Sequence, residues 1–229
     1  MNESLDLKVL QALPYAIFTM FISIMFSMAS LIVKILTSGS ISDSTLYQMD
    51  SNVYMICYFI MYVSVVLLMT FLYEMSNLSK WFNYACTTTV LFILSETADF
   101  VARWGVKYLG RKTLEMGIVI VTEIIPSLCI VFLIMFILQG TIDLYNMMDK
   151  EKRAQKCRQF RKFCLIAFAL QMILSGLASN SSKESEFFVL FIVAAAIIYL
   201  YNLIIIFLLY GSLKQFCYDL YMFSYNTGR

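Results

Sequence analysis

The stretch Trp81–Arg103 reads WFNYACTTTVLFILSETADFVAR. Its first fifteen residues carry no charge and can enter a bilayer. Glu96, Asp99 and Arg103 then follow within eight residues. Steps of three and four residues fall on one helix face, so these charges form one stripe, with Asp99 and Arg103 at pairing distance. Charges at membrane depth are costly; they usually face a bundle interior and mark ion or ligand sites. The plainer alternative is an Asp99–Arg103 pair that neutralises itself near a helix end. Under either reading the stretch is a transmembrane helix.

Composition agrees with it. Hydrophobic residues make up 61% of the 229-residue chain and charged residues 14%. A soluble domain has about 25% charged and about 45–50% apolar residues. The apolar excess lies in long runs, which leaves no room for a soluble domain. Six spans are predicted, at about 11–34, 51–73, 81–102, 116–142, 163–180 and 187–213. About 20 residues cross the hydrocarbon at 1.5 Å each. Gln11–Val33 and Ser51–Tyr73 each supply 23 uncharged residues. The fifth run is shorter and carries Gln171, while the sixth has 27 uncharged residues and can tilt or protrude. The expected fold is an all-α, six-helix polytopic membrane bundle in a single domain, arranged as three helical hairpins. Ser23 and Ser27 form a small-xxx-small pair that can bring helices close. Residues 1–10 lack the basic n-region and cleavage site of a signal peptide.

Orientation follows Lys and Arg in short loops. Residues 143–162, DLYNMMDKEKRAQKCRQFRK, hold seven of the seventeen basic residues: Lys150, Lys152, Arg153, Lys156, Arg158, Arg161 and Lys162. This segment is expected to continue the fourth helix out of the membrane, turn back, and face anionic lipid or an acidic partner. The side bearing both termini carries eleven basic residues and the other side six. Both termini are therefore expected in the cytoplasm, at the cell membrane. Four basic residues in the third loop (Arg103, Lys107, Arg111, Lys112) oppose this direction.

That topology sets depths. Glu96 falls roughly 20 Å from the cytoplasmic start of its helix, and Glu123 about 10 Å below the outer surface, at 1.5 Å per residue. Tyr54 and Tyr58, with Tyr62, form a four-residue stripe at that level. Glu96, Asp99, Glu123, Tyr54 and Tyr58 are the predicted lining of an outward-opening pocket for a small cationic or polar ligand. The competing reading is packing and interface anchoring by the tyrosines. Pro126, early in the fourth run, is expected to kink it or free a carbonyl.

The chain contains no histidine, which removes Ser-His-Asp and Cys-His catalysis and HExxH metal sites. No GxxxxGK[ST] loop occurs. Cysteines 57, 86, 129, 157, 164 and 217 form no CxxC pair and read as apolar fillers or reduced thiols. No catalysis, cofactor, metal or nucleic-acid partner is expected. Two function classes remain. One is a non-catalytic sensor or accessory subunit of a membrane assembly, with the bilayer and neighbouring subunits as partners. The other is a small-solute or cation transporter, or the substrate-binding membrane subunit of one. Only Pro14 and Pro126 are available to break helices, and glycines number eight, which favours the first class.

Overall fold

The computed structural model describes residues 12–26, 52–109, 125–179 and 187–227. Among these the chain forms six helices and no strand. They are α1 (Ala12–Phe26), α2 (Asn52–Met75), α3 (Lys80–Leu109), α4 (Ile125–Met147), α5 (Glu151–Ser179) and α6 (Phe187–Thr227). Three stretches are long and apolar enough to cross a membrane: Met55–Met75, Ile125–Met147 and Ile197–Asn226. Six were expected. The described part of α1 is apolar but short. α3 carries Asn83, three consecutive threonines and Glu96, and α5 begins inside the basic segment.

Local chemistry explains the two tight turns. Asp149 has φ 55°, the left-handed conformation that ends many helices. Its N–H donates to the Asn146 carbonyl at 3.3 Å, and that of Lys150 to the Tyr145 carbonyl at 2.9 Å. This pair of bonds is a Schellman motif closing α4. The Lys150 carbonyl then accepts from Arg153 and Ala154, so Lys150 also opens α5. At the other turn, Ser79 Oγ accepts from the Trp81 N–H at 3.4 Å and caps α3. Such short connections force α2/α3 and α4/α5 to run antiparallel.

Helices adjacent in sequence pack together from α2 through α6. α1 sits against both α2 and α6. Thr19 Oγ1 meets Ser64 Oγ of α2 at 2.7 Å. On α6, Tyr15 meets Tyr210 (ring centroids 5.7 Å), Phe18 meets Phe207 (5.4 Å), and Tyr199 Oη donates to the Met25 carbonyl (3.3 Å). Partner numbers fall as those of α1 rise, so α1 and α6 are antiparallel. Consequently the start of α1, both short turns and the C-terminal part of α6 lie at one end, hereafter the basic end.

Each helix buries one face at three- and four-residue spacing. Leu13, Ala16, Ile17 and Met20 do so on α1, and Leu209, Leu213, Phe216 and Leu220 on α6. Gly140 of α4 lets α3 approach closely: a Cβ there would lie 2.8 Å from ring carbons of the fully buried Phe82. The threonine run is accommodated because hydroxyls turn back on the helix. Thr88 donates to the Tyr84 carbonyl and Thr89 to that of Ala85, both at 2.8 Å. Ser23 does the same to Thr19, while Ser27 lies outside the described residues. Pro126 is buried at the second residue of α4, where the helix tolerates it, and the residues before Ile125 lie outside the described set.

At the basic end, the segment 143–162 continues the fourth helix and turns back as expected, with the turn confined to residues 148–150 and six of its seven cations on α5. One expectation changes there. The sixth span was expected to end at about residue 213, yet α6 continues to Thr227. Its 41 residues span about 60 Å at 1.5 Å each, roughly twice the hydrocarbon thickness.

Candidate functional site

The α2 tyrosines lie against the stretch of α3 that carries Glu96. Tyr58 Oη donates to the Glu96 main-chain carbonyl at 2.7 Å. Thr97 Oγ1 donates to the Ile93 carbonyl, so the Tyr62 hydroxyl, 2.7 Å away, donates to Thr97. The two tyrosine rings lie 5.0 Å apart. These bonds pin the backbone that presents Glu96, which is half-buried. The other predicted pocket residues are placed less fully. Asp99 and Arg103 lie on α3 and Tyr54 on α2, with their side chains outside the described set. Glu123 lies outside the described residues altogether.

A second polar locus was not anticipated from sequence. Asp219, on the buried face of α6, has a side chain only 7% exposed. Lys150 Nζ lies 2.9 Å from its Oδ1, and Gln215 Nε2 donates to the same oxygen at 3.3 Å. Arg153 Nε lies 3.2 Å from Oδ2, and the buried Tyr145 hydroxyl donates to that oxygen at 3.3 Å. The carboxylate thus receives two donors on each oxygen, the satisfaction a buried charge requires. The four donors come from α4, the α4–α5 turn, α5 and α6 itself. Chemically this is a lock, because an acceptor so fully occupied has little left for a ligand. Periodicity carries its signal: Asp219 stands three residues after buried Phe216 and one before buried Leu220. It lies beyond residue 213, where the sixth span was expected to end.

The seven predicted basic residues divide accordingly. Lys150 and Arg153 turn inward to Asp219. Lys152, Lys156, Arg158 and Lys162 are exposed, Arg161 is half-buried, and Arg158 Nη2 donates to Asn146 Oδ1 at 3.4 Å. Beneath them Cys157 is buried; burial pushes its thiol up from the ordinary value, and the Arg153 guanidinium partly opposes this. All six cysteines are free thiols. Among the described residues no cluster of His, Cys, Asp or Glu could hold a metal ion.

No protein-family model, curated protein or solved structure matches this chain.

Proposed function

We propose that this chain is a non-catalytic, six-pass membrane protein that serves as a sensor or accessory subunit of a larger membrane assembly. One observation carries the reading: the polar bonds described between helices tie one helix to another, while the remaining buried hydroxyls turn back on their own helix. Thr19–Ser64 links α1 to α2, Tyr58 and Tyr62 link α2 to α3, and the Asp219 cluster links α4, α5 and α6. A scaffold needs such ties, whereas an active site needs polar groups converging on a common point. Membrane embedding is supported by the outward faces. Ile56, Phe59, Val66 and Leu67 on α2, and Ile197, Leu200, Ile204 and Phe207 on α6, are more than half exposed. Contiguous apolar surface of this kind suits lipid. The short turns and alternating helix directions support six crossings, with the basic end in the cytoplasm by the positive-inside rule.

The test is purification from native membranes in mild detergent, alongside reconstitution of the purified protein into liposomes. A stoichiometric membrane-protein partner supports the accessory reading. Solute or cation uptake by the purified protein alone would replace it with the transporter reading.

A further inference from the structure

We infer that the basic end carries a ring of cations, Lys80, Lys156, Arg158 and Lys214, that holds the headgroups of anionic phospholipids. The inference rests on the membrane-embedded reading above.

Helix register brings these residues to one level. Lys150 and Arg153 meet Asp219, and α5 and α6 run antiparallel. Five residues back along α6 to Lys214 therefore correspond to about five forward along α5, at Gln155–Arg158, since both helices rise 1.5 Å per residue. On the other flank, Tyr145 of α4 meets Phe216 and Asp219, and α4 runs parallel to α6. Gly140 then stands level with Gly211–Lys214, and Phe82, packed on Gly140, brings Lys80 to that height. All four cations are exposed.

The neighbours of the ring are those of a membrane surface. Lys80 Nζ lies 5.6 Å from the Trp81 ring centre, and Trp81 meets Tyr84 at 5.7 Å. Lys214 Nζ lies 6.0 Å from the Tyr210 ring, which meets Tyr15. Aromatic rings beside lysines form the usual belt at the headgroup level. Further along the same helices, away from the basic end, the exposed residues turn apolar: Leu91 and Leu94 on α3, Ile166 and Leu170 on α5, Ile204 and Phe207 on α6. Lys162 sits directly before that change on α5 and can snorkel up to the ring.

The same geometry excludes other cations. Lys150 and Arg153 are held by Asp219. A headgroup layer is only about 5–8 Å deep, so it reaches one turn of helix and not three. Exposed Glu74, on the α2–α3 side, subtracts from the ring, whereas Asp149 and Glu151 lie beyond it.

The experiment uses the purified full chain in bilayers of phosphatidylcholine doped with phosphatidylglycerol. Spin-labelled forms of the two lipids report which is retained at the protein surface. At low salt the wild type should favour phosphatidylglycerol, by up to about fivefold for each cation acting on a headgroup. Replacing Lys80, Lys156, Arg158 and Lys214 together by glutamine should abolish the preference. All these side chains are exposed, so the variants should keep wild-type helicity by circular dichroism. Equal lipid ratios for wild type and the fourfold variant would overturn the inference while leaving the membrane reading intact. Release of the protein from bilayers by an alkaline carbonate wash would overturn both.

Discussion

Replacing Asp219 with alanine removes the acceptor shared by Lys150, Arg153, Tyr145 and Gln215. The cost depends on where each donor can go. Tyr145 is 2% exposed, and a stranded buried hydroxyl costs about 1–3 kcal/mol. Gln215 is half-buried and loses one ordinary hydrogen bond, about 0.5–1.5 kcal/mol. Lys150 and Arg153 have side chains 36% and 46% exposed, so both can swing into water. The 3–5 kcal/mol for breaking a fully buried pair therefore does not apply, and each cation contributes at most about 1 kcal/mol. The expected loss is about 2–6 kcal/mol. Titration of folded protein in mixed micelles with a denaturing detergent, followed by circular dichroism, measures it. A variant keeping only Cys217, which is 3% exposed, adds a local readout: its thiol should label faster once α6 is released. In a Tyr145→Phe background the same Asp219→Ala change should cost about 1–3 kcal/mol less, because no hydroxyl is stranded. Wild-type stability and Cys217 labelling in Asp219→Ala would refute the lock. An undiminished cost in the Tyr145→Phe background would refute the accounting.

Gly140→Ala puts a Cβ 2.8 Å from the buried Phe82 ring and should destabilise by about 1–3 kcal/mol, with Phe82→Leu restoring part of the loss in the same titration. In a cysteine-free background, a cysteine at Ser44 should label from outside intact cells and one at Lys156 should not; the reverse pattern would invert the proposed topology. Cys157 should resist alkylation of the folded protein at neutral pH, since burial pushes its thiol above the ordinary 9.0. The folded state holds that proton more tightly than the unfolded chain. This group therefore withdraws stability as pH rises past the unfolded thiol's pKa, and replacing Cys157 with serine should flatten the alkaline limb of a stability profile. Tyr58→Phe should cost only about 0.5–1.5 kcal/mol, because it removes one hydrogen bond to the Glu96 carbonyl.

How much of this was legible in the sequence depends on the period of each signal. The all-α class follows from long uncharged runs such as Ser51–Tyr73, which need only counting, and α2 closely matches that run. The four-residue step Tyr58–Tyr62 placed both rings on one face. It could not say that Tyr58 would choose a main-chain carbonyl over a carboxylate. Pairing across helices is not written in either helix alone: Gly140 opposite Phe82 joins positions 58 residues apart. Asp219 was missed for a different reason. The uncharged run ends at Leu213, and the span was placed no further. Lys214 and Tyr218 stay helical because another face, Phe216, Cys217 and Leu220, is still buried against the bundle. Packing on one face sustains a helix that its average hydropathy would end.

The two polar loci differ in what it takes to part them. At Glu96, α2 is held to α3 by two hydroxyl bonds of 2.7 Å, from Tyr58 and Tyr62. Single hydrogen bonds of this kind contribute about 0.5–1.5 kcal/mol each. At Asp219, moving α6 away from α4 and α5 strands a buried hydroxyl and a carboxylate together, because every donor on the carboxylate, other than Gln215, belongs to a different element. A binding event that shifts an equilibrium can do so only by its difference in affinity for the two states, commonly 1–3 kcal/mol for coupled sites. That is about the cost of opening the α2–α3 seam and no more than the lower part of the cost of releasing Asp219. If the protein is a sensor, its response should therefore begin where Tyr58 and Tyr62 meet α3, with the Asp219 end serving as the fixed base against which α3 moves.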